Sequence, residues 1–259
     1  MPVRVRGALL RADEPDRPRS ESELLRECID RRSVDRVSRS APPTDMRYED
    51  RTRLLAPEDL EFESGVERLD DDVFHVAVLT PMLGASAEMI GWWFGTYMQT
   101  TEHYRMWHPR DHVWMDWENK SPGTHVGAHH LVHEYIGGQL QKLRISFVDP
   151  VENMGPGATE KGRLFICARV GMLERPMAMG RMVHAAYDTP WGCVLRSHFW
   201  LGLVETKLLG GLVQAAANTP WVRRRAVTRA SAYALEAHCH EEMSTLGRFL
   251  PDLFESREG

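Results

Sequence analysis

Between residues 126 and 203 the sequence alternates polar and apolar residues, and this feature limits the fold more than any other. The alternation falls into five segments: 126–137, 140–148, 162–171, 180–188 and 193–203. Gly, Pro and Asp separate them, and side chains of a strand point alternately to its two faces, so each segment predicts a half-buried strand. Strand directly after strand indicates an antiparallel meander and argues against a doubly wound parallel sheet.

Further elements are expected on both sides of the meander. Residues 71–80 predict a strand that ends at Pro81, and the stretch SAEMIGWWFGTYMQT predicts a helix with Ser86 as its N-cap. Residues 204–248 have helical spacing, with a break at Pro220. This order predicts an α+β, helix-grip fold, in which a curved antiparallel sheet wraps around a long C-terminal helix and encloses a deep cavity.

The first 45 residues differ in composition from the rest of the chain. Residues 1–45 are rich in Arg, Asp, Glu, Ser and Pro, which bury too little apolar area to offset the entropy of ordering. We therefore expect a flexible N-terminal extension, followed by one helix-grip domain over 46–259. The piece ESELLRECIDRRSVDRV has helical spacing and predicts one short helix. A second subunit could stabilise it, which would make the protein a homodimer.

Composition excludes several classes of function. The net charge of -5 argues against a nucleic-acid binder, and no run approaches the roughly 18 apolar residues of a membrane span. The start has no apolar signal-peptide core, and four scattered cysteines are typical of reduced thiols, so we expect a cytoplasmic protein. The sequence also contains no G-x-G-x-x-G, P-loop or G-x-S-x-G motif.

Histidine is concentrated in one region: seven of the twelve lie between His103 and His133. In WHPRDH, His108 and His112 are four residues apart, and neutral imidazole is a common metal ligand. In HLVHEYIGG, Glu134 shares a strand face with His130 and Val132. A buried carboxylate needs a cation or a hydrogen-bond partner, so Glu134 becomes a candidate ligand unless this face points to solvent.

The final helix offers a second pair. His238 and Glu242 are one turn apart and in line with Leu246 and Leu250, which places them on the inward stripe. The alternative is a surface pair that stabilises the helix by about 0.2–0.5 kcal/mol. Glu241 points about 100° away around the helix and is expected at the boundary with solvent.

Two further histidines lie in neighbouring predicted strands, His184 in RMVHAAYDT and His198 in VLRSHFW. A single histidine in a strand is usually a packed core residue. Two histidines on a cavity-forming sheet are better candidates for proton transfer.

These motifs resemble one known family. WWFGTYMQTTEHYRMWHPRDH, VHEYIGG, RSHFW and HCHEEMSTLGRFLPDLF are similar, in this order, to the 2,4-diacetylphloroglucinol hydrolase family, which includes phloretin hydrolase. The resemblance covers about residues 46–254. It implies a Bet v1-like helix-grip catalytic domain that uses zinc to hydrolyse a carbon–carbon bond in small acylated phenols.

The resemblance also implies roles for individual residues. The implied zinc ligands are His112, Glu134, His238 and Glu242. Tyr104 matches a tyrosine of the substrate pocket and His184 a catalytic histidine. Near His198 the hydrolases of the family carry a phenolic residue, and this chain has no Tyr there, so the substrate can differ.

The function expected from these observations is metal-dependent hydrolysis of the bond between an aromatic ring and an acyl carbonyl. His184 would act as general acid, with Tyr104 and His198 holding ring hydroxyls. Fe(II) and Mn(II) suit the same ligands as zinc, and His108 stays open as a ligand in place of His112. The alternative class is a polyketide- or lipid-binding protein or a cyclase without a metal. A third hypothesis is a non-haem iron oxygenase. Such enzymes use two histidines and one carboxylate, so the second glutamate argues against it.

Overall fold

The structure is a computed structural model that describes residues 46–56, 60–175, 177–206 and 210–258. The expected extension over 1–45 and its short helix lie outside the described residues. Eight strands of the described chain form one antiparallel sheet in the order β1-β2-β8-β7-β6-β5-β4-β3. They are β1 Gly65–Arg68, β2 Phe74–Leu83, β3 His112–Glu118, β4 His129–Ile136, β5 Gln139–Val148, β6 Arg163–Met172, β7 Met177–Thr189 and β8 Gly192–Thr206.

Helices precede the meander, interrupt it once and follow it. The α-helices are α1 Ala87–Trp92, α2 Thr101–Trp107, α3 Pro150–Met154, α4 Gly210–Ala217, α5 Pro220–Ala226 and α6 Arg229–Glu255. A π-helical turn, Trp93–Tyr97, continues α1, and 3-10 turns cover Tyr48–Leu55, Pro156–Thr159 and Ser256–Glu258. Ser86 caps α1 as predicted, because its hydroxyl accepts a hydrogen bond from the Met89 N–H. Of the helices in the described ranges, none combines the length and apolar character that crossing a membrane requires.

The long final helix α6 packs on the inner face of the sheet, so the predicted α+β helix-grip fold is confirmed. The buried face of α6 includes Met243, Leu246 and Leu250, which share one apolar core with Val78 and Met82 of β2. A Cβ on Gly247 would lie 3.0 Å from the Met82 Cγ, so a glycine here lets helix and strand approach closely. Burial of this stripe stabilises α6 more than its helix propensity does.

Two sequence predictions about the strands need correction. Strand β2 does not end at Pro81 but continues to Leu83. Pro81 pairs with Val194 of β8. On the other side of β2, the pairing with β1 ends at Ala77, so the missing N–H of Pro81 interrupts no hydrogen bonds to β1. The set of predicted strands also omits β3, which begins at His112, the last residue of WHPRDH.

The sheet is covered on its outer face as well. Leu54, Val183 and Trp200 belong to a second buried cluster on this side. The Trp200 indole N–H donates a hydrogen bond to the Met46 carbonyl over 2.8 Å, which ties the start of the described chain to β8. Strand β8 is therefore buried on both faces, and this determines which of its residues can reach the cavity.

Candidate metal centre

Strands β3 and β4 bring the first histidine and the first glutamate together. His112 pairs with Glu134 in the antiparallel register, and the ladder shifts between His112 and Trp114. The His112 Nε2 lies 3.7 Å from the Glu134 Oε2, and both side chains are buried. The predicted inward face of β4 is correct, because His130, Val132 and Glu134 are all buried.

Helix α6 adds the second pair from the opposite side. The Glu242 Oε2 lies 3.4 Å from the His112 Nε2 and 3.9 Å from the His238 Nε2. The His238 Nε2 is in turn 3.9 Å from the Glu134 Oε2. The two imidazoles and two carboxylates expected from the sequence therefore meet at one point.

The neighbouring glutamate behaves differently, as the helix register predicts. The Glu241 side chain is 50% exposed and its Oε2 lies 2.7 Å from Arg110. The Glu242 side chain is only 11% exposed. Adjacent positions on a helix point about 100° apart, so one carboxylate faces solvent while the other faces the cluster.

The orientation of both imidazoles fits a bound cation. The His112 Nδ1–H donates to the Tyr104 carbonyl over 2.8 Å, which leaves Nε2 as a lone-pair donor aimed at the cluster. The Nε2 atoms of His112 and His238 are buried and have no hydrogen-bond partner within the described residues. Such atoms are rare in folded proteins, and a metal ion coordinated by both would account for them.

The electrostatics of the cluster lead to the same conclusion. Burial lowers the pKa of His112 to about 4, so this imidazole is neutral at neutral pH. Burial also raises the pKa of Glu242 to about 8, because it disfavours the charged carboxylate and the nearby charge of Glu134 adds to the effect. A divalent ion would supply the compensating positive charge. Imidazole nitrogens and carboxylate oxygens are both ligands that zinc accepts.

His108 also lies next to His238. Its ring stacks on that of His238 at a centroid distance of 5.0 Å, and its Nε2 is 3.7 Å from the Asp111 Oδ2. Asp111 is also 3.7 Å from the His238 Nδ1. His108, Asp111 and His238 could themselves hold an ion, as could His112, Glu134 and His238. Of the two groups, only the second lies beside the buried Glu242, so the geometry favours His112 over His108.

A cavity of about 520 Å³ borders the cluster, and Glu134, His238 and Glu242 line it. Tyr104 lines it too, with its ring stacked on His112 at 3.7 Å between centroids. The Tyr104 hydroxyl donates a hydrogen bond to Glu134. Burial, followed by the charge of Glu134, raises the pKa of Tyr104 well above its usual value, so this hydroxyl keeps its proton.

His184 stands on another wall of the same cavity. Its Nδ1 lies 2.7 Å from the Ser197 Oγ, and its ring meets Phe199 edge to face at 5.7 Å. Burial lowers the pKa of His184 to about 3, so the ring is neutral. The Ser197 side chain also lies next to that of Cys239, the residue after His238 on α6. A short chain of contacts thus links His184 to the helix that carries the candidate ligands.

The structure does not bring His198 to the cavity. Ser197 and Phe199 point to the inner face of β8, so His198 points to the outer face with Trp200. There the His198 Nδ1 lies 2.9 Å from the His75 Nε2, and burial lowers its pKa well below the usual value. The expectation that His198 holds a ring hydroxyl is therefore corrected. Sequence reasoning missed Ser197 and Phe199, although the alternation in RSHFW places them together on the face opposite His198.

Comparison with known proteins gives consistent matches. The family described as the DAPG hydrolase PhiG domain matches residues 46–255. A 2,4-diacetylphloroglucinol hydrolase from a Pseudomonas species is 25% identical over 229 residues, which cover 80% of this chain and 75% of that protein. Phloretin hydrolase from Eubacterium ramulus is 25% identical over 234 residues, covering 83% of this chain and 80% of that protein.

Solved structures with a similar arrangement are more distant. The crystal structure of Ara h 8.0201 covers 72% of this chain and 98% of its own, with 6% identity and a TM-score of 0.41. The di-domain ARO/CYC BexL from the BE-7585A biosynthetic pathway covers 90% of this chain and 61% of its own, with 16% identity and a TM-score of 0.37.

Proposed function

The chain belongs to the family of the DAPG hydrolase PhiG domain, as its motifs predicted, and from this membership we propose that it hydrolyses the carbon–carbon bond between a phloroglucinol-like ring and an acyl group. The products are a carboxylic acid and the deacylated phenol. The names of two relatives, 2,4-diacetylphloroglucinol hydrolase and phloretin hydrolase, support this substrate class. The observation that carries the proposal is the convergence of His112, Glu134, His238 and Glu242 at the edge of the cavity.

We propose that these four side chains hold one zinc ion. When bound, the ion supplies Lewis-acid polarisation of the acyl carbonyl and activation of a water molecule. The two glutamates provide charge that compensates the cation, and the Tyr104 carbonyl orients His112 through Nδ1. The absence of a thiolate from this set suits a hydrolytic rather than a purely structural ion.

His184 is proposed to move the proton that makes the ring carbon a leaving group. Its pKa of about 3 means that it begins neutral, so it first accepts a proton from a ring hydroxyl and then delivers it to the ring carbon. The net result is the keto tautomer of the phenol, in which the bond to the acyl carbon can break. If His184 Nδ1–H donates to the Ser197 Oγ, Nε2 is the atom left to exchange this proton.

Tyr104 is proposed to act in two ways. Its hydroxyl donates to Glu134, which limits the positions that this carboxylate can take. Its ring forms part of the cavity wall, where it can contact the phenol ring of the substrate. Because burial keeps the hydroxyl protonated, Tyr104 serves as a donor and not as a base.

We propose that residues 46–259 are the catalytic domain and that the protein works in the cytoplasm on a small-molecule substrate. Every residue assigned a role lies between Tyr104 and Glu242. Cys167, Cys193 and Cys239 are buried free thiols, which is compatible with a reducing compartment. A homodimer remains the proposal for the assembly.

The test is turnover of an acylphloroglucinol by the purified full-length chain, followed by chromatography and mass spectrometry. We expect the carboxylic acid and the deacylated phenol in equal amounts. Running the reaction in water enriched in oxygen-18 should place one label in the acid, because hydrolysis takes an oxygen atom from water. Tight binding of the substrate without products would contradict the proposal and favour a binding protein.

A further inference from the structure

Asp111 lies on the side of His238 that faces away from the candidate metal centre. The His238 Nε2 points towards that centre, where Glu134 and Glu242 each place a carboxylate oxygen at 3.9 Å. The other ring nitrogen, Nδ1, is 3.7 Å from the Asp111 Oδ2. This Nδ1 is buried and has no hydrogen-bond partner within the described residues. Buried polar atoms without a partner are rare, and Asp111 is the acceptor closest to hand.

His108 brings a second ring nitrogen to the same carboxylate. The His108 Nδ1 accepts a hydrogen bond from the backbone N–H of Asp111 over 3.3 Å, so this nitrogen carries no proton. The proton of the ring is therefore on Nε2, which is buried and lies 3.7 Å from the Asp111 Oδ2. In this tautomer Nε2 has no lone pair for a cation, which favours His108 as a donor to Asp111 over His108 as a metal ligand.

The position of Asp111 is fixed by contacts of its backbone and its side chain. The Asp111 carbonyl accepts a hydrogen bond over 2.9 Å from the N–H of Tyr135, the residue after Glu134 on β4. Arg110 donates hydrogen bonds to both carboxylate oxygens, at 3.1 and 3.3 Å. The Asp111 side chain is only 18% exposed. These contacts hold the carboxylate at a defined place between the strand that carries Glu134 and the ring of His238.

We propose that Asp111 is a positioning residue of the candidate metal centre, whose carboxylate accepts the Nδ1–H of His238 and keeps the His238 Nε2 directed at the ion. The inference rests on the proposed function, because it requires His238 to be a ligand. Imidazoles that bind a metal usually donate their second N–H to a carboxylate or a carbonyl, which fixes the tautomer and the orientation of the ring. The Tyr104 carbonyl does this for His112, and Asp111 does it for His238.

His108 supports Asp111 in this role. One carboxylate oxygen can accept two hydrogen bonds, so the Asp111 Oδ2 can receive both Nε2–H of His108 and Nδ1–H of His238. The two rings are stacked nearly parallel, at 5.0 Å between centroids and 11° between planes, which directs both N–H groups to the same side. Both contacts are roughly 0.5–1 Å longer than an N–H···O hydrogen bond, a gap that a small rotation of the carboxylate closes.

The inference is tested by the zinc affinity of the purified full-length chain, measured in competition with a coloured chelator. Asp111→Asn keeps the shape of the side chain and removes its charge, so the Kd for zinc should rise about 10- to 100-fold. Asp116→Asn makes the same change at an exposed position of β3 and should leave the Kd unchanged. Both variants should melt like the wild type in the presence of chelator, because the proposed role concerns the ion and not the fold.

A double-mutant cycle tests whether Asp111 acts through His238. In a His238→Ala background there is no ring to hold, so adding Asp111→Asn should change the Kd by about twofold or less. In a His112→Ala background the ring of His238 is still present, and the same addition should still raise the Kd about tenfold or more. Equal losses in the two backgrounds would mean that Asp111 acts by its charge alone and would overturn the inference.

The remaining outcomes separate this inference from the proposed function. A folded Asp111→Asn variant with the Kd of the wild type would overturn the inference and leave the hydrolase proposal intact. If Asp111→Asn does not fold, Asp111→Glu should bind zinc about fivefold or more tightly than Asp111→Gln, and equal affinities would contradict the inference. A wild-type chain that binds no zinc would overturn both the proposed function and the role of Asp111.

Discussion

Glu242 on the final helix lies with its Oε2 3.4 Å from the Nε2 of His112, the residue that begins strand β3. Helix and strand thus bring a carboxylate and an imidazole together in an interior that stabilises neither charge alone. Burial pushes the pKa of Glu242 up to about 8 and that of His112 down to about 4. A bound cation would compensate the charge of Glu242 and accept the lone pair of the neutral His112 imidazole.

The first prediction compares the two adjacent glutamates of α6. Glu242→Gln should lose zinc and activity together, because a neutral amide is a much weaker ligand and leaves the cation less compensated. Glu241→Gln should change neither by much, because Glu241 is half-exposed and pairs with Arg110. Metal analysis of both purified variants, with circular dichroism to verify folding, measures this.

The reverse outcome would identify a specific error. If Glu241→Gln removes the metal and Glu242→Gln does not, the ion is held by the group around His108 and Asp111, which Glu241 approaches to 3.8 Å at His108. The ligand set proposed here would then be wrong.

The second prediction separates chemistry from structure at His184. His184→Gln keeps a hydrogen-bonding side chain of similar size but removes the group that exchanges a proton. Turnover of an acylphloroglucinol should fall by ~10²–10⁴, the usual contribution of general acid–base catalysis, while the metal stays bound. Wild-type turnover in this variant would return His184 to the role of a packed core residue.

The third prediction concerns Ser197, which contacts the ring of His184 at Nδ1. Ser197→Ala should lower kcat about tenfold with little effect on KM, because one hydrogen bond that orients the imidazole contributes on the order of 1.4 kcal/mol. Ser197→Thr keeps the hydroxyl and should restore most of kcat. Equal losses in both variants would point to packing against Cys239 as the cause.

The fourth prediction follows from the buried imidazole of His130. Burial lowers its pKa to about 3, against about 6.5 in the unfolded chain. Below pH 6.5 His130 binds a proton in the unfolded state but not in the folded state. The contribution of neutral His130 to the free energy of unfolding is therefore fully present above pH 6.5 and is lost as the pH falls towards 3. Between pH 7.5 and 5.0 this costs about 2 kcal/mol.

Urea unfolding with chelator present measures that loss without a contribution from metal release. The free energy of unfolding of the wild type should fall about 2 kcal/mol more between pH 7.5 and 5.0 than that of His130→Gln. Identical pH dependence in wild type and His130→Gln would show that His130 is protonated normally in the folded chain.

Local geometry explains what the sequence could predict. The positions of His238 and Glu242 follow from the 3.6-residue period of one helix, and the face of Glu134 follows from the two-residue period of one strand. Both periods involve neighbours in the sequence, and apolar residues around each group mark the buried side. The structure places all three side chains where these periods predict.

The position of His198 could not be obtained in the same way. Alternation along β8 shows that Ser197 and Phe199 oppose His198 and Trp200, but both sets are buried because the sheet is covered on both faces. Burial therefore does not distinguish the cavity side from the outer side. The neighbouring strands settle it: in β2, His75 pairs with Trp200 and contacts His198 diagonally, and in β7, His184 pairs with Ser197.

The most direct test of the central claim is metal content and turnover measured on the same full-length protein, purified without chelator and without a histidine tag. We predict about one zinc per chain, loss of acylphloroglucinol hydrolysis when the zinc is removed by dialysis against chelator, and recovery when one equivalent is returned. Protein that contains no metal and still cleaves the substrate, or that contains iron and consumes oxygen during turnover, would contradict the account.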